Sequence, residues 1–169
     1  MAKVFTSNGT EIRVLSLIGA YPLLLASGEK QIELRTWTTN FRGYVAFHCS
    51  KSSADDESYE YFDVDENDCP KSAIIGVGKL VEVIKFDKDS WFLHQDVHLR
   101  DDSYCEVMEE TRGKPMYGHR FEQCWIFELP VLDVSGSRNY WSPRTENQEE
   151  AMYWVKEYID LFVAEGLMN

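Results

Sequence analysis

From Ala73 to Ile84 the chain reads AIIGVGKLVEVI, the strongest strand signal in the sequence. A run this rich in β-branched and aliphatic residues commits the fold to a sheet. Gly76 and Gly78 within it mark a bulge or a close approach of another backbone.

Other segments supply partners. Glu11 to Leu17 reads as a strand, and Gln31 to Thr38 alternates cleanly. Ile32, Leu34 and Thr36 share one face of it; Gln31, Glu33, Arg35 and Trp37 share the other. After a turn through Asn40 and Gly43, Tyr44 to Cys49 places Val45, Phe47 and Cys49 on one side and Tyr44, Ala46 and His48 on the other. Phe121 to Leu129 is a further strand, continuing through Val131 to Val134 after a kink at Pro130. Helices are expected at Ala20 to Gly28, where Pro22 sits in the first turn and Gly28 closes the last, and on the surface within the acidic run Asp55 to Asp68. The capping-box sequence Ser103-Tyr104-Cys105-Glu106 opens a helix to about Arg112. Helical spacing of Met152, Val155, Tyr158, Ile159, Phe162 and Val163 predicts a last helix over about residues 146–165. The remainder of Phe86 to Tyr117 carries no clear period. The whole describes one domain, residues 1–169, of α/β (α+β) class: a small mixed barrel of about five or six strands with peripheral helices. Val45, Phe47, Ile74, Val77 and Phe127 are expected in one core.

Charge limits the partners. The formal net charge is −12, yet Gly28 to Lys51 holds Lys30, Arg35, Arg42 and Lys51 against Glu29 and Glu33, a local net of +2 that leaves −14 elsewhere. Such a field opposes duplex DNA or any long polyanion and leaves room for a short, single-stranded or mononucleotide ligand. Met1 to Arg13 lacks the apolar core of a signal peptide, and Leu15 to Ala26 is too short and too interrupted to span a bilayer. A cytoplasmic protein with no membrane association is therefore expected. Cys49, Cys69, Cys105 and Cys124 are scattered without metal-ligand spacing and read as free thiols. His94 and His98 lack a third ligand, and Asp63 to Asn67 departs from a calcium loop at Asp68 and Ile74. No metal and no cofactor is expected, and a monomer is favoured.

If the Gln31–Thr38 and Tyr44–Cys49 strands paired as antiparallel neighbours, Glu33, Arg35 and Trp37 would share a surface with Tyr44 and His48. Lys30 would lie at its mouth and Arg42 at the turn. That set suits a nucleobase or nucleotide: an arginine for phosphate, an aromatic ring for stacking, a carboxylate for base amines. The plain alternative is that Glu33 and Arg35 form a strand-surface ion pair while Trp37 packs under the acidic segment.

Gly28-Glu29-Lys30-Gln31-Ile32-Glu33-Leu34-Arg35-Thr36-Trp37 resembles the GxKxxExRxW signature of ASCH domains, and follows a helix bearing Tyr21-Pro22. The likeness continues through Arg42-Gly43, the strand ending in His48, Ser50 and Lys51, and Ile74-Ile75-Gly76-Val77. Tyr117-Gly118, Pro130, Gly136 and Trp141 follow in the family's order, so it covers roughly Ile12 to Trp141. The resemblance implies a PUA-like barrel with a signature-lined cleft for RNA or a nucleotide. Some relatives are amidohydrolases that deacetylate acetylated cytidine; others are reported as ribonucleases. Lys30 occupies the place of the amidohydrolases' catalytic lysine, whereas Glu33 stands where they have a catalytic threonine. Their third catalytic residue, a glutamate, finds no match here.

These readings converge on a pocket for a nucleotide, a modified nucleoside or short single-stranded RNA. Lys30, Glu33 and Arg35 form its reactive core; Arg42, Trp37, Tyr44, His48 and Lys51 complete the binding set. The alternatives are amide hydrolysis with Lys30 activating water, RNA cleavage with Lys30 as base, and a protein-interaction domain using the acidic surface.

Overall fold

The computed structural model describes residues 1–169. One mixed sheet contains seven strands: β1 (Phe5–Ser7), β2 (Thr10–Leu17), β3 (Ile32–Arg35), β4 (Gly43–Cys49), β5 (Ala73–Lys85), β6 (Tyr117–Val131) and β7 (Tyr140–Trp141). Around it lie α1 (Tyr21–Ser27), α2 (Ser58–Tyr61), α3 (Lys88–Leu93), α4 (Gln95–His98), α5 (Tyr104–Glu110) and α6 (Glu146–Ala164). No helix is long and apolar enough to cross a membrane.

The strand order is β1-β2-β4-β5-β6-β3, with β7 beside β2. Only β2 and β4 run parallel. A parallel pair needs a crossover connection, and α1 with β3 forms it. That excursion carries β3 to the far edge of the sheet, where it pairs with β6. The expected pairing of β3 with β4 is therefore corrected: Glu33 stands opposite His119, and β4 lies between β2 and β5.

The mixed sheet expected from the sequence is present, but backbone pairing does not close it into a barrel. No backbone ladder joins β3 to the β1/β7 edge. The backbone just before β3 is engaged elsewhere, since Gln31 N donates to Val97 O at 2.9 Å. Side chains lace the seam. Arg35 Nη2 donates to Ser16 O at 3.3 Å. His119 Nε2 lies 2.9 Å from Trp37 O and must donate to it, so Nδ1 accepts from the Tyr140 hydroxyl at 2.9 Å.

All seven residues of β4 are buried, because both faces of the strand are covered. Tyr44 and Ala46 join Ile74, Val77 and Phe127 against Met152, Val155 and Ile159 of α6. Val45 and Phe47 pack instead with Leu25 and Ala26 of α1, and with Leu80 and Phe121. The single core expected for Val45, Phe47, Ile74, Val77 and Phe127 is thus two cores, one on each face. Each fully buried aliphatic residue of the α6 stripe contributes about 1.5–3 kcal/mol by leaving water. Gly76 permits the approach of α1, since a Cβ there would stand 2.7 Å from Ala26 Cβ and 2.6 Å from Trp125 O. The ladder between β5 and β6 shifts register around both glycines, as their positions in the strand implied.

The stretch without a clear period folds as α3, α4 and α5. Asp87 and Ser103 each open a helix with a reciprocal capping box. Trp91, Phe86, Val107 and Met116 enclose Ile32, so these helices stand against the far edge of the sheet beside the signature.

Candidate functional site

A cleft of about 830 Å³ opens between β3, the start of α1, the acidic segment around α2, and the α4–α5 connection. Its floor is set by the exit from α1. Gly28 takes a left-handed conformation (φ 82°) as C-cap, which turns the chain so that Lys30 N donates to Leu24 O at 2.9 Å. Lys30 then enters the cleft two residues before β3 begins.

Lys30 and Glu33 are only 3% and 6% exposed. Lys30 Nζ stands 2.8 Å from Glu33 Oε1, and Arg35 Nη2 and Nε stand 2.9 and 3.2 Å from Glu33 Oε2. Burial on its own would raise the Glu33 carboxyl, but the Lys30 ammonium and Arg35 guanidinium outweigh it and hold the group down at about 2. The Tyr21 ring covers the ammonium, its centroid 4.3 Å from Nζ. Arg35 spends Nε and Nη2 inside the protein, whereas Nη1 makes no hydrogen bond there. The side chain is a quarter exposed, so this donor is open to a ligand.

The upper walls are aromatic and acidic. Tyr61 and Phe62 meet edge to face, with Tyr21 against Phe62. Arg100 is tied to Asp102 at 2.7 Å and to Glu110. The lining carries three cations (Lys30, Arg35, Arg100) against six acids (Glu33, Asp55, Glu57, Asp101, Asp102, Glu110). His98 accepts from Arg100 N at Nδ1 and donates through Nε2 to Trp91 O, so neither nitrogen is left for a ligand. Burial lowers its pKa and keeps it neutral.

The structure brings Lys30, Glu33 and Arg35 together and disperses the other residues of the expected set. Tyr44 lies in the α6 core, its buried hydroxyl without a partner. His48 is buried, donating from Nε2 to Val134 O at 2.6 Å and accepting from Ser16 Oγ at Nδ1. Both would share a face with Glu33 only if β3 paired with β4, which it does not. Trp37 stands on the seam, edge-on to His119 and Tyr140 with centroids 4.9 and 5.5 Å away. Arg42 is exposed and donates to the carbonyls of its own turn, Thr39 and Phe41. Lys51 is exposed, outside the cleft lining. Sequence reasoning missed Tyr21, Arg100, Asp101 and Asp102 as walls. For Arg100, Asp101 and Asp102 the signal available was the length of the connection between Lys85 and Tyr117, since long connections in small domains more often build sites than merely link strands.

No family profile and no curated protein matches the chain. Solved structures do. An ASCH protein from Zymomonas mobilis superposes with a TM-score of 0.58 at 12% identity, covering 85% of this chain and 94% of that one. Two mutant forms of the Zymomonas mobilis protein superpose with TM-scores of 0.56 and 0.54, also at 12% identity. They cover 85% and 84% of this chain and 95% and 96% of theirs. The chain has an ASCH-like fold.

Proposed function

We propose that the chain binds a single nucleobase-bearing ligand, a nucleoside, a nucleotide or the end of a short single-stranded RNA, in the cleft above Lys30, Glu33 and Arg35. One observation carries this reading. Arg35 holds a free Nη1 donor at the floor of a cleft of about 830 Å³, fixed in place by its bonds to Glu33 and Ser16. A guanidinium anchored in this way is organised to meet a carbonyl or phosphate oxygen without losing side-chain freedom on binding. Tyr21, Tyr61 and Phe62 offer ring faces and edges to a base. Six carboxylates in the lining repel a chain of phosphates, which favours one nucleotide unit over a long RNA.

The test is a titration of ¹⁵N-labelled protein with cytidine, adenosine, their monophosphates and a short single-stranded RNA. Amide shifts clustered at Lys30 to Arg35 and at Leu99 to Asp102 support the reading. Shifts confined to Arg42 and Lys51 place the ligand elsewhere.

Amide hydrolysis of an acetylated nucleoside is the second reading. The observation favouring it is a buried lysine at the floor of the cleft, 2.8 Å from a carboxylate. Lys30 can serve as base only by giving up that ion pair, so ligand entry would have to draw Glu33 away. Turnover of acetylated cytidine that is lost in both Lys30→Arg and Glu33→Gln supports this reading; no turnover in the native protein removes it.

A further inference from the structure

The outer surface of α6 and the end of β6 form a second feature, remote from the cleft. Leu129, Leu132, Trp154 and Leu161 are 70%, 58%, 57% and 50% exposed. They border two adjoining hollows of about 460 and 430 Å³ that share Trp154 and Tyr158. The surface is held in shape. The Tyr158 hydroxyl donates to Leu129 O at 2.9 Å and accepts from Leu129 N at 3.0 Å, and its ring stacks on Phe127 at 4.1 Å. That bond pair ties the strand end to the helix and leaves a groove between them. Contiguous apolar surface of this kind on a stable scaffold marks an interaction site.

Charge identifies the occupant. Asp133 and Glu150 line one hollow and Glu157 and Asp160 the other, with no lysine or arginine in either lining. Only Asp160 has an ion-pair partner, Lys156. A second copy of this chain would bring the same acids against these, and an anionic lipid surface or a nucleic acid would be repelled. A basic amphipathic segment meets both demands: apolar side chains for the hollows, lysines or arginines for the rim. We propose that this groove docks a basic amphipathic helix of a partner protein. The lining residues from Glu150 to Leu161 run roughly 17 Å along α6, about three turns of helix.

The probe is a synthetic helical peptide with leucine at i, i+3, i+4, i+7 and i+11 and lysine elsewhere, compared with a scrambled peptide of the same composition. Fluorescence anisotropy of labelled peptides is read against the whole protein. The expected result is binding at least about tenfold tighter for the amphipathic peptide than for the scrambled one. Trp154→Ser and Leu132→Ser, each exposed and so expected to leave the melting temperature in place, should weaken it by a similar factor. Glu150→Gln with Glu157→Gln should flatten its salt dependence. Equal affinity for both peptides, or binding unchanged in Trp154→Ser and Leu132→Ser, overturns the proposal. Dimerisation of the protein abolished by Trp154→Ser would also overturn it, assigning the groove to a second copy.

Discussion

Lys30 Nζ and Glu33 Oε1 meet at 2.8 Å with both side chains almost wholly out of water, while Arg35 closes on the other carboxylate oxygen. The carboxylate has two cationic partners, and the lysine has one anionic partner. Loss of either member is therefore asymmetric in cost. Glu33→Leu leaves the Lys30 ammonium buried without a counter-charge and should destabilise the fold by roughly 3–5 kcal/mol. Lys30→Met leaves Glu33 with Arg35 and should cost less. The double substitution should recover most of the loss, because removing both charges also removes their desolvation penalty. Urea denaturation of the three variants checks the order; additive losses would show that the pair is not coupled.

Acid should unfold the protein in two ranges. Burial lowers the pKa of His48, His98 and His119 below the usual 6.5, so the unfolded chain takes up protons that the folded chain refuses. The stability these neutral rings represent is complete above about pH 6.5 and is lost as pH falls below it. Glu33, depressed from 4.5 to about 2, adds stability that is present above 4.5 and lost between 4.5 and about 2. That second loss is on the order of 3 kcal/mol. Melting temperature measured against pH should decline from near 6.5 downward, and Glu33→Gln should shrink the lower step, to which Asp87 and Asp160 also contribute, and leave the upper one in place.

The seam that stands in for barrel closure depends on one tautomer of His119. Tyr140→Phe removes the donor to Nδ1 and leaves a buried acceptor empty, at a cost of about 1–3 kcal/mol. Backbone amides of β3 should then exchange faster with solvent, while those of β4 should not change. A long-range ¹⁵N spectrum of the histidines should show His119 protonated at Nε2; an Nδ1 proton would contradict the assigned hydrogen bonds.

Much of the fold was legible in the sequence because its signals are local. The Ala73 strand, the Gly28 stop, the Ser103 capping box and the α6 stripe each depend on residues within a few positions of one another, and each appears where its pattern lay. The grouping of Lys30, Glu33 and Arg35 was legible for the same reason: they span six residues of one turn and one strand. Pairing of strands is not local. Alternation in β3 and β4 gives each its faces, but nothing in either segment says that β3 joins β6 across the 81 residues between Arg35 and Tyr117. That one choice put Tyr44 under α6 and His48 between Ser16 and Val134, and left Tyr21 and Arg100 to wall the cleft instead. The acidic lining was half visible: the excess of acids around Asp55 was plain, whereas Asp101 and Asp102 lay in a stretch without period.

The central claim is that Arg35, held by Glu33 and Ser16, meets the ligand through Nη1. Arg35→Lys tests it most directly, because lysine keeps the charge and loses the planar fork. Calorimetric titration of a nucleoside monophosphate and a short single-stranded RNA into the native protein and Arg35→Lys, at several salt concentrations, is the measurement. The account predicts one saturable site, a loss of at least about tenfold in affinity for Arg35→Lys, and a shallow salt slope equivalent to roughly one to three phosphates. Unchanged affinity in Arg35→Lys, or a slope equivalent to roughly eight or more phosphates, would contradict it.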